Sequence, residues 1–139
     1  MTRMKMTLVA AAVLVAALAG GWLWGAWGRW ASDAQLREAE LRVQLAEARA
    51  SLLAARVDLF EINFGQASAD IERAKNALDT AAALLERSGQ PDATAAVREA
   101  TTRAGEAQQL AGSVDQTAGA RVTDALAALA KAGAAVQKK

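Results

Sequence analysis

Residues able to do chemistry are scarce in this chain. The nearest approaches to a general acid and base pair are Glu38 with Glu40 and Asp70 with Glu72. Acid-base catalysis needs carboxyls that converge on one reacting group, whereas residues two apart on a helix point to different sides. Ser51, Ser68, Ser88 and Ser113 have no histidine to take their proton, because the chain contains none, and a hydroxyl without a neighbouring base is a weak nucleophile. The lack of cysteine removes disulfides and thiolate metal sites, and the lack of histidine removes the commonest metal ligand. No glycine-rich loop precedes a Lys-Ser or Lys-Thr pair, so a phosphate cradle lacks its parts. These residue types argue against an enzyme and imply no catalytic residue, metal, cofactor or small-molecule substrate.

The segments that would position any site begin with a 22-residue uncharged stretch, Met6 to Trp27, preceded by Arg3 and Lys5 and closed by Arg29. At about 1.5 Å per residue it spans the roughly 30 Å of bilayer hydrocarbon. Trp22, Trp24, Trp27 and Trp30 gather at one end of it, where indole rings favour the membrane interface. The sequence thus predicts a basic tail at 1–5, a transmembrane anchor with a tryptophan belt at 6–30, and the lipid bilayer as a partner. A short basic tail favours a cytoplasmic N-terminus and an extracytoplasmic, periplasmic C-terminal portion. The alternative is a signal peptide cleaved after Ala17-Leu18-Ala19, releasing a secreted or periplasmic protein. Ala17, Gly21 and Gly25 form a small-residue row on which two membrane helices can pack closely.

The 109 residues after Trp30 suffice for one small domain. Removing Arg3, Lys5 and Arg29 from the 16 basic residues leaves 13 against 15 acidic, a net charge of −2, so no phosphate-binding surface is implied and nucleic acid is not an expected partner. Phe60 and Phe64 are the domain's aromatics and alanine its main apolar residue, which predicts a thin core made by close helix approach.

A heptad organises the first part of this domain. Leu36, Val43, Ala50, Val57, Phe64, Ile71, Leu78 and Leu85 recur every seven residues at position a, and Ala39, Ala46, Leu53, Phe60, Ala67, Ala74 and Ala81 follow at d. Arg42, Arg49 and Arg56 flank the seam at g, with Glu40, Glu47 and Glu61 at e. In a parallel pair Arg42 of one chain would meet Glu47 of the other, and Arg56 would meet Glu61. A second apolar seam occupies c and f, through Leu41, Leu45, Ala48, Leu52, Ala55, Leu59 and Ile62. A helix apolar on two faces needs two neighbours, so Leu41, Leu45, Leu52, Leu59 and Ile62 are the expected interaction seam for a second copy or a helical partner.

Ser88-Gly89-Gln90-Pro91-Asp92 joins a glycine suited to ending a helix with a proline suited to starting one. Beyond it, Ala93, Val97, Ala100, Ala104, Ala107, Ala111, Val114 and Ala118 continue an apolar stripe that slips by one residue before Val122, Ala125, Leu129, Ala132 and Val136. The expected fold is therefore all-α: a single transmembrane helix followed by a long antiparallel hairpin or coiled coil over 31–139, with helix 31–87, turn 88–91 and helix 92–137. In that hairpin Leu41 to Ile62 faces roughly Thr117 to Lys138. The alternative is a small four-helix bundle, with Gly65 ending one helix, Ser68 capping the next and a further break near Gly112-Ser113. The heptad keeps its phase across Gly65, which favours continuity. Asn63-Phe64-Gly65 reads either as a helix break or as a docking point. Gly105, Gly112 and Gly119, seven apart, read as close backbone contact or as drift in an Ala/Gly-rich stretch.

The expected function is a non-enzymatic, membrane-anchored interaction, spacer or scaffold module of a bacterial envelope, forming a homo-oligomer or binding a helical protein. The other readings are an extracytoplasmic sensory or ligand-binding domain and an accessory subunit of a larger membrane complex. A sensory bundle would be marked by polar or aromatic residues converging on its interior, for which the sequence offers Phe60 and Phe64.

Overall fold

The computed structural model describes residues 33–137, all of whose regular structure is helical. Helix α1 covers 33–60, α2 Phe64–Arg87, α3 Pro91–Gly112 and α4 Ala118–Gln137. The expected tail 1–5 and anchor 6–30, with Ala17, Gly21 and Gly25, lie outside the described residues. Among the described residues no helix is long and apolar enough to cross a membrane. Among the described residues, 39–137 form one compact unit.

The expected hairpin of two unbroken helices is not what forms, because each of its long helices breaks once, between α1 and α2 and again between α3 and α4. All three connections use the same hydrogen-bonded device. At each, one residue takes a left-handed backbone: Ile62 at φ 63°, Gly89 at φ 64° and Val114 at φ 58°. The following amide donates five residues back, Asn63 to Asp58 (2.7 Å), Gln90 to Leu85 (3.1 Å) and Asp115 to Leu110 (2.9 Å). The left-handed residue's own amide donates three back, Ile62 to Leu59 (3.2 Å), Gly89 to Glu86 (3.1 Å) and Val114 to Ala111 (3.0 Å). This paired pattern satisfies the last carbonyls of a helix while reversing the chain. The first break thus falls at Ile62, three residues ahead of Gly65, and Asn63 rather than Ser68 caps α2, its Oδ1 accepting from the Gln66 amide at 3.5 Å. At α4 the Asp115 carboxylate accepts from both the backbone amide and the hydroxyl of Thr117, each at 2.8 Å.

Each helix buries one stripe. In α2 it is the heptad seam, Ala67, Ile71, Ala74, Leu78, Ala81 and Leu85; in α1 it is the c/f seam, Leu41, Ala48, Leu52 and Ala55. Val97, Ala100, Ala104 and Ala107 of α3 and Val122, Ala125, Leu129 and Ala132 of α4 complete the core. Alanine dominates every layer, so Leu52, Ile71, Leu78, Leu85, Val97 and Val122 supply most of the bulk. The phase slip before Val122 adjoins the third turn, between α3 and α4. A β-carbon added at Gly105, Gly112 or Gly119 would meet nothing within 4 Å, so the glycine column marks no close backbone approach.

Polar contacts between helices show how they run. Arg98 of α3 binds Glu86 of α2, and Gln108 of α3 reaches Glu72 (2.7 Å) and Lys75 (2.8 Å) of α2. Arg121 and Lys131 of α4 pair with Glu106 (3.5 Å) and Glu99 (3.9 Å) of α3. Rising numbers on one helix meet falling numbers on the next, so consecutive helices are antiparallel. The groove beside Leu53, Val57 and Phe60 is lined on its other bank by Gly119 and Thr123, and the one beside Leu45 and Ala46 by Ala130 and Gly133. Helix α4 therefore runs antiparallel along α1 and closes an up-down-up-down bundle in the register that a single long hairpin would have produced.

Candidate interaction surface

Helix α1 carries two apolar faces, and the fold uses only one. Of the c/f residues, Leu41 and Leu52 are buried in the same apolar cluster as Ile71, Leu78, Val97 and Val122, and Leu45 and Leu59 are half-buried against it. Ile62, the last residue of that series, sits in the α1–α2 turn and is exposed. In this fold the c/f seam is thus an internal packing face.

The heptad face of the same helix points away from the core. Val43 is 63% exposed, Leu53 43%, Val57 56% and Phe60 89%, with Ala46 and Ala50 exposed between them. From Val43 to Phe60 this stripe is about 26 Å long, and no charge interrupts it. Beside it the α1–α4 groove holds about 790 Å³ near Phe60 and about 550 Å³ near Ala46. Four of the flanking heptad charges remain available: among the described residues, Glu47, Arg49, Arg56 and Glu61 enter no ion pair. A soluble monomer seldom keeps a contiguous apolar stripe edged by complementary charge.

Of the residues weighed for chemistry, Asp70, Glu72, Ser88 and Ser113 hold contacts within the fold. Asp70 does not converge with Glu72. It is buried, bound by Arg73 at 2.6 Å and by the Gln66 side chain at 3.3 Å. Its carboxylate neighbour is Asp58 at the end of α1; burial, then a hydrogen bond to Asp70 and the charges of Asp70 and Glu61, push the Asp58 carboxyl above its ordinary range. Glu72 is shifted the other way, downward, by hydrogen bonds from Gln108 and Lys75. Glu38 and Glu40 occupy exposed positions of α1. Ser88 and Ser113 each donate a hydroxyl to a carbonyl at a helix end, Leu85 and Leu110, both at 3.0 Å. Ser51 is buried in α1 and Ser68 half-buried in α2. Among the described residues no group of three or more acidic side chains is placed to hold a metal ion.

Compared with protein-family models, with curated proteins and with solved structures, the chain matches none. The surface is therefore read from its own geometry. Both apolar seams of α1 are visible in the sequence, and c/f, the expected docking face, is the one the fold buries at Leu41 and Leu52. The signal that separates them lies at e: Glu40, Glu47 and Glu61 edge a/d and not c/f, whereas the g arginines stand between the two seams.

Proposed function

We propose that this chain is a non-enzymatic, single-pass membrane protein of a bacterial envelope, whose C-terminal helical bundle is an extracytoplasmic interaction or scaffold module. The observation that carries this reading is the unused heptad face of α1, an apolar stripe edged by charge, lying on the helix nearest the 22-residue uncharged stretch and its tryptophans. The ligand-binding reading loses support in the bundle interior. Alanine side chains fill it, and Phe60, one of the two aromatics that could line a ligand pocket, is the most exposed large apolar residue described.

The reading is tested by expressing the full chain in a Gram-negative host, washing membranes with alkaline carbonate, and exposing spheroplasts to protease. Retention in the washed membrane, an intact mass that includes residues 1–19, and digestion of the bundle only from the periplasmic side are expected. A soluble periplasmic product beginning at Gly20 would overturn the anchor.

A further inference from the structure

We infer that the exposed heptad face of α1 pairs in parallel with the same face of a second copy of this chain, an inference that rests on the membrane-anchored reading above. The partner is specified by the charges. With a at Val43, Ala50 and Val57 and d at Ala46, Leu53 and Phe60, the g position Arg56 of one copy lies opposite the e position Glu61 of the other, and two-fold symmetry makes that contact twice. Arg42 and Glu47 repeat the relation two heptads earlier. Among the described residues Arg56 and Glu61 enter no ion pair, so pairing breaks none of the ion pairs described.

The apolar part fits the same partner. Val57 and Phe60 are more than half exposed in the bundle, and the α4 bank of the adjoining groove carries Gly119, Ala120 and Thr123, small side chains that leave room for a facing helix. Two chains anchored through their N-terminal segments on the same side of one membrane emerge with the same polarity. The parallel arrangement demanded by the Arg56 and Glu61 register is thus the one that anchoring permits. Tethering in a plane also raises the effective concentration of one copy around another, which helps a seam this short to associate.

The absence of native cysteine makes the test direct, because any disulfide reports an introduced thiol. A disulfide requires Cα atoms within about 7 Å, and a parallel heptad seam brings like positions together along its whole length. In membranes containing the full chain, Val43→Cys and Val57→Cys are each expected to form a homodisulfide dimer under mild oxidation, while Asp79→Cys on α2 and Thr102→Cys on α3 stay monomeric. Arg56→Glu is expected to lower the Val43→Cys dimer yield several-fold, as is Glu61→Arg, and the double exchange is expected to restore it. Val57→Glu should cut the same yield at least tenfold with far-ultraviolet circular dichroism unchanged. Three results overturn the pairing: no homodimer from either seam cysteine, cross-linking of Val43→Cys only to co-expressed Val57→Cys as in an antiparallel pair, or cross-links solely to a different polypeptide. Each of these leaves the membrane anchor standing, whereas a chain missing from the membrane fraction fails the anchor instead.

Discussion

Ile62 and Val114 stand where a left-handed backbone usually calls for glycine. Such a conformation costs an L-residue about 1–2 kcal/mol, and a branched β-carbon makes it less comfortable still. Both side chains are largely exposed, so removing them forfeits little burial. Ile62→Gly and Val114→Gly are each expected to stabilise the bundle by about 0.5–1 kcal/mol, after the added chain entropy of glycine is set against the relieved strain; urea titration followed by circular dichroism measures it. A lower midpoint would show that Ile62 or Val114 makes a contact worth more than its strain. Asp58 offers a second reading at this scale. Because its carboxyl is raised in the folded state, the folded protein holds more protons than the unfolded one as pH climbs past ~4, the ordinary aspartate range. Stability at this residue therefore falls as pH rises through the raised value and stays reduced above it. Asp58→Asn is expected to raise the melting temperature at pH 7 and to lose that advantage below about pH 3, where the wild-type carboxyl is protonated in both states.

Among the elements, α3 carries threonine and glycine, residues of low helix propensity, and has no side-chain cap at Gln90. Gly105 occupies its interior with open space where a β-carbon would go. Gly105→Ala is expected to add about 0.5–1 kcal/mol by helix propensity alone, read as a shift in thermal midpoint; a loss would reveal a neighbour that the surrounding space does not suggest. The α2–α3 turn makes the opposite kind of prediction. Gly89 satisfies the left-handed position without strain and Pro91 opens α3, so a short Gly/Ser insertion after Gly89 should lower stability by only about 1 kcal/mol, because closure entropy grows slowly with loop length. Global unfolding on insertion would mean that Ser88 to Pro91 contributes packing rather than connection.

At the scale of the whole molecule the two faces of α1 part company. Leu52 is fully buried in an alanine-rich core with few large side chains, and Leu52→Ala is expected to cost about 2–5 kcal/mol. That is a large share of the roughly 5–15 kcal/mol available to a domain. Leu52→Glu should abolish cooperative melting. On the other face, Val57→Glu should leave the melting transition in place while dispersing any assembly, a contrast that sedimentation and calorimetry on the same samples would display. If Val57→Glu unfolded the chain and Leu52→Glu did not, the assignment of inner and outer faces would be reversed.

Seven-residue spacing, alanine content and the Gly89-Pro91 pair were enough, without coordinates, to establish an all-helical domain, both apolar stripes of α1 and the α2–α3 turn, because each is a local property of residue type along the chain. The breaks at Ile62 and Val114 were not legible in that way. Branched residues in a left-handed conformation are locally disfavoured, and they are held there by the packing of the helices that each turn joins, α3 against α4 above all, which no local signal encodes. Heptad phase misled for a related reason. It persists from α1 into α2, yet the turn reorients the helix, so the same a/d positions face solvent in α1 and the core in α2. Sequence alone determined which residues could be buried; only the tertiary arrangement, with room for one neighbour against each stripe, decided that Leu52 would be covered and Val57 left open.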